Sequence, residues 1–131
     1  MNVPESKRWL AYARSDLEAA HALLRDPDHY PRQVCFLAQQ AAEKALKAVL
    51  VLLEIEFPFT HDLDHLREIV PSGWQVKMAF PNLYALSAWA VEARYPGDLP
   101  EVVEADAREA VQTAEAVYQI VADDWQTRIK E

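Results

Sequence analysis

Three short stretches of this 131-residue chain carry side chains that could do chemistry. The first is Gln40, Glu43, Lys44 and Lys47, spaced i, i+3, i+4 and i+7, which places them on one stripe of a helix. Two ammonium groups beside a carboxylate and an amide could hold a phosphate-bearing ligand. The same spacing equally allows a plain Glu43–Lys47 ion pair on an exposed strip, worth about 0.3 kcal/mol. The second stretch is His61-Asp62-Leu63-Asp64-His65, where two histidines four apart flank two carboxylates. A structural zinc site wants four protein ligands, and nothing in the sequence nominates the other two. An HD doublet also suggests a metal phosphohydrolase, but that needs more His and Asp than His21 and His29 supply. The expectation is therefore no metal, with His61 closing a helix cap or bonding a neighbouring helix. The third is Arg94-Tyr95, within Ala93-Arg94-Tyr95-Pro96-Gly97. Its guanidinium could point a fork of donors at a phosphate, or simply suit the last turn of a helix.

The remaining candidates are weaker. Arg14 and His21 lie seven apart beside the core seam of the first helix, a spacing that chance explains. Cys35, the lone cysteine, sits on an apolar stretch and reads as core. A glycine-rich phosphate loop, a Ser or Cys triad and a paired-cysteine motif are all absent.

The elements that must position these residues follow from periodicity. The chain is organised around residues 33–65, read as a long helix to about Glu54, an aromatic break and a second helix start. Ala38, Ala42, Ala45, Val49 and Leu52 alternate by four and three, a seam of mostly small residues that lets a neighbour come close. Phe36, Leu37, Ala41, Ala48, Leu50 and Leu53 lie off that seam, so the helix is apolar nearly all round and belongs at the centre of a bundle. Before it, residues 4–25 predict a first helix on Leu10, Ala13, Leu17, Ala20 and Leu24, with Pro4 in its first turn and 26–32 as connector. After it, Phe57-Pro58-Phe59 breaks the pattern, Thr60 suits an N-cap, and 61–69 predicts a short helix. Residues 74–93 read as mostly helical, with Pro81 starting a fresh helix. A last helix over about 99–126 carries Val103, Ala107, Ala110, Ala114, Val117 and Val121.

Bulk properties bound the class. Hydrophobic content of 51% with 10% aromatic predicts one packed domain over 1–131, and only two glycines disfavour sandwiches. No apolar run reaches membrane-spanning length and the first residues lack a secretory h-region, so the expected location is cytoplasmic. Net charge is −8 and uneven: residues 1–57 hold seven basic and eight acidic side chains, residues 58–131 six and thirteen. Such a chain lacks the broad basic footprint of a nucleic-acid binder, so any phosphate contact needs a local pocket.

Taken together, FLAQQAAEKALKAVL (36–50), THDLDHL (60–66) and ARYPG (93–97) resemble the HEPN domain family, the higher eukaryote and prokaryote nucleotide-binding domains, in order and in separation. The resemblance runs over about residues 5–125. It implies an all-α, up-and-down antiparallel bundle of about four main helices plus a short one, frequent homodimerisation, and association with a minimal nucleotidyltransferase. The positions it carries over are Gln40, Glu43, Lys44, Lys47, His61, Asp62, Arg94 and Tyr95, which it implies converge at one cleft. Lys44, Lys47 and Arg94 would meet phosphate there, and Tyr95 would stack on a base. Ribonuclease members of the family carry an Arg and a following His with four to six residues between them. Here Arg94 is followed by YPGDLPEVV, with no His, and Arg14–His21 lies in the wrong helix. The expectation is thus a nucleotide- or phosphate-binding module with no resident cofactor and no catalytic residue. The alternatives are a metal-independent ribonuclease acting as the toxin of a toxin–antitoxin pair, and a pure protein-interaction module.

Overall fold

The computed structural model describes residues 1–90 and 101–130, which contain five α-helices and no strand. Helix α1 spans Val3–Arg25, α2 Pro31–Leu52, α3 Leu63–Ile69, α4 Tyr84–Ser87 and α5 Glu104–Ile129. Single 3-10 turns occupy Gln75–Lys77 and Ala88–Ala90. The domain is all-helical, as expected, and none of its described helices is long and apolar enough to cross a membrane.

α2 is the centre. Ala38, Ala42, Ala45, Val49 and Leu52 are all fully buried, and the helix packs on α1 and α5 while also touching α3 and α4. A five-residue connector turns α1 back on α2, and the Asn2 N–H donates to the Leu52 carbonyl at 2.9 Å, so the start of α1 lies against the end of α2. α1 also runs antiparallel to α5, since Ser6 meets Trp125 while His21 meets Glu115. At the first of those crossings one hydroxyl joins all three long helices. Ser6 Oγ donates to the Ala48 carbonyl at 2.6 Å and accepts the Trp125 indole N–H at 2.8 Å.

Helix ends differ from expectation for local reasons. α2 begins at Pro31, within the expected connector, because proline at a first helical position loses no hydrogen bond. It ends at Leu52 in a Schellman turn, with Glu54 at φ 57° and the Ile55 N–H on the Leu50 carbonyl. The cap of α3 is Asp62, whose carboxylate accepts the Asp64 and His65 N–H groups; Thr60, the expected cap, instead accepts the Asp62 N–H. Residues 74–90 form two 3-10 turns and one short helix rather than a mostly helical run, because the chain between them is held elsewhere. The Leu83 N–H donates to Asp64, and Arg67 reaches the Phe80 carbonyl. α5 starts at Glu104, fixed by the Asp106 carboxylate accepting the Val103 N–H, and runs on to Ile129. The Arg94-Tyr95 turn lies outside the described residues.

Cys35 is fully buried, and its thiol is pushed up to about 12, mainly by burial and further by the Asp106 charge. The thiolate is the nucleophile, so this group is inert at neutral pH. In native buffer it should resist a maleimide reagent for hours and react within minutes in denaturant, as read by mass spectrometry.

Candidate functional site

The polar residues of α2 separate into two groups. Lys44 leans toward α1 and pairs with Asp16 across the helix interface. Glu43 and Lys47 lie on another ridge with Gln39, each four residues from the next, and this ridge faces the loop between α2 and α3. Gln39 is 0%, Glu43 4% and Lys47 8% exposed, so the ion pair is buried rather than a surface strip.

Glu43 is the hub. One carboxylate oxygen accepts from Lys47 Nζ at 2.9 Å; the other accepts from Gln39 Nε2 at 3.2 Å and meets His61 Nδ1 at 2.8 Å. The Gln39 amide also donates to the His61 backbone carbonyl at 3.1 Å, so both of its N–H groups are engaged. Gln40, half-buried, donates to Gln39 Oε1 at 2.8 Å. The network thus fixes the ring and the backbone of His61 at once. His61 is the member that reaches solvent, with 36% of its side chain exposed. Its Nε2 has no partner among the described residues. The Lys47 ammonium stands 6.0 Å from the Trp9 ring centre and 5.6 Å from that of Phe57, and Glu43 is its one hydrogen-bond acceptor among the described residues.

Burial pushes the Glu43 carboxyl upward, and that is the largest single influence. The hydrogen bonds from Lys47, His61 and Gln39, with the Lys47 charge, together outweigh it and hold the group below its ordinary 4.5. The carboxylate is therefore ionised at neutral pH. With a folded value below the unfolded one, Glu43 adds stability above about pH 4.5 that is lost as pH falls through the folded value. Urea unfolding between neutral pH and about pH 3 should show a shallower loss of stability in Glu43→Gln than in the parent.

The other expected site residues have structural work. Asp62 caps α3, and Asp64 holds Arg67 and the Leu83 N–H, while His65 is exposed. Among the described residues no group of three His, Cys, Asp or Glu side chains is placed to hold a metal. The structure brings together Glu43, Lys47 and His61, with Gln40 one bond away, and leaves Lys44 on the α1 side. Arg94 and Tyr95 lie outside the described residues. Gln39 was missed by sequence reasoning, although its i, i+4, i+8 spacing with Glu43 and Lys47 names the ridge.

The family model described as HEPN domain matches residues 6–125. The chain is 31% identical to a Methanocaldococcus jannaschii protein named "Putative toxin MJ1304", over 93% of this chain and 89% of that protein. Among solved structures it is similar to TT1696 from Thermus thermophilus, with TM-score 0.77 and 27% identity over 95% of this chain and 99% of that one. It is also similar to ST0689, titled an archaeal HEPN homologue, with TM-score 0.69 and 29% identity over 90% of this chain and 95% of that one.

Proposed function

Because this chain belongs to the HEPN domain family, we propose that it is a binding module for a nucleotide or related phosphate-bearing ligand, with His61 as the group that meets the phosphate. The observation that carries this reading is the buried Glu43 carboxylate 2.8 Å from His61 Nδ1, which aims the other ring nitrogen outward. Nδ1 of His61 is engaged by Glu43, and Nε2 is the ring nitrogen left to meet a ligand. Lys47 contributes through its charge and by keeping Glu43 ionised. Gln40 stands beside it as a further polar contact. Arg94 would add a second donor. Lys44 and Asp62 hold the surrounding helices in place. The module works in the cytoplasm as a homodimer, in company with a separate nucleotidyltransferase.

A second reading is favoured by the similarity to an archaeal relative whose name includes the word toxin. An imidazole oriented by a buried carboxylate can accept a proton from a ribose hydroxyl, so metal-independent RNA cleavage would use the same residue.

The test is thermal unfolding of the purified protein against a nucleotide panel, with and without magnesium. A ligand at a hundredfold excess over Kd stabilises by about 2.7 kcal/mol. One nucleotide should raise the unfolding temperature of the parent and fail to do so in His61→Gln and Arg94→Ala. A shift that survives both substitutions would remove the ligand from this site. RNA cleavage by the parent that vanishes in His61→Gln would replace the binding reading with the second one.

A further inference from the structure

The loop between α2 and α3 presents its aromatic residues in opposite ways. Phe57 is half-buried, packed on the core beside the Lys47 ammonium, whereas Phe59 is 92% exposed. Single exposed apolar residues are common and usually need no explanation. Phe59 differs in what it touches. Its ring centre lies 5.3 Å from that of His61 at an interplanar angle of 73°, an edge-to-face contact with the side chain that carries the open ring nitrogen.

The loop is anchored on either side of Phe59, by Phe57 packed on the core and by hydrogen bonds at residues 60–62. The His61 carbonyl accepts from Gln39, the Thr60 hydroxyl accepts the Asp62 N–H, and proline at 58 restricts the backbone between the two phenylalanines. A phenyl ring that is 92% exposed offers a free face on which a flat ring can lie. A bare phosphate would use His61 and leave Phe59 idle. A ligand with an anionic end and a flat aromatic end would use both, and 5.3 Å is close enough for one molecule to span the two rings.

We infer that Phe59 is the stacking surface for the base of a nucleotide whose phosphate is held at His61. This rests on the proposed phosphate contact and adds the class of ligand: one with a nucleobase, of any identity, since stacking on a phenyl face reads the plane of the base and not its edge.

Isothermal titration of the full chain with AMP, ribose 5-phosphate and adenosine tests it. AMP should bind more tightly than ribose 5-phosphate by about 5- to 150-fold, the range base–aromatic stacking provides. Phe59→Ala should remove that advantage while leaving ribose 5-phosphate affinity as it was, and Phe59→Trp should keep or enlarge it. An exposed side chain can be truncated without disturbing the core, so the variants fold. If AMP binds and Phe59→Ala leaves the ratio intact, the stacking role is wrong while the phosphate site stands. If Phe59→Ala leaves the ratio intact and lowers the mass in light scattering, the residue serves contact between copies instead. If neither AMP nor ribose 5-phosphate binds the parent, the phosphate site fails and the stacking role falls with it.

Discussion

Replacing Glu43 with leucine lowers the stability of the fold by about 3 kcal/mol, and adding Lys47→Met to that variant recovers most of the loss. The reasoning is one of desolvation. Glu43 and Lys47 have side chains only 5% and 10% exposed, so each ion has given up most of its water and is compensated chiefly by the other. Removing the carboxylate strands the ammonium between the Trp9 and Phe57 rings, whose attraction for a cation is worth only about 0.5–2 kcal/mol. It also frees His61 and half of the Gln39 amide, whose bond to the His61 carbonyl alone remains. Removing both ions replaces the pair with apolar side chains of similar length that the surrounding core accepts. Urea midpoints at unchanged m-value read both effects. Losses that simply add in the double variant would mean that the two groups are not coupled. The same double variant separates stability from function, since it should fold well and bind no nucleotide.

Trp125→Ala is expected to cost about 3–5 kcal/mol, the usual range for emptying a large buried aromatic site. Trp125 is 5% exposed on α5, at the crossing where Ser6 also touches α2. Two milder variants divide the effect. Trp125→Phe keeps most of the volume and gives up one hydrogen bond, for about 1 kcal/mol. Ser6→Ala does more damage, because the indole N–H stays buried with no acceptor, at about 1–3 kcal/mol. Thermal unfolding should rank the three variants with Trp125→Ala lowest and Trp125→Phe highest. If Ser6→Ala were neutral, the hydroxyl would not be the joint between the three helices.

The long helices were legible because their signal is periodic and repeated. Leu10, Ala13, Leu17 and Ala20 on α1, the alanine seam of α2, and Ala107, Ala110, Ala114, Val117 and Val121 on α5 are all buried where the alternation of three and four puts them. Val103 continues the same alternation but is exposed, because it caps α5 instead of packing inside it. The segment over 74–90 misled because Leu83, Leu86 and Ala90, after Pro81, have helical spacing and are all buried. Their burial is achieved by short turns tied down through Asp64 and Arg67, contacts between residues far apart in sequence.

The site was half legible. Glu43, Lys47 and His61 were nominated from residue type and motif order, and they meet. The division of the stripe was not readable, since Lys44 is drawn away by Asp16, twenty-eight residues earlier on a different helix. Gln39 and Ser6 were passed over for the same reason. A single polar residue in an apolar run announces nothing until its partner, here the His61 carbonyl or the Trp125 indole, is placed beside it in space.

The most direct measurement is a long-range proton–nitrogen NMR spectrum of the four histidine rings during titration with AMP. His61 Nε2 should shift as ligand binds, with Nδ1 still held by Glu43, while His21, His29 and His65 stay unchanged. Binding that leaves the His61 ring unmoved, or that shifts His21 or His65 instead, would contradict the proposed site.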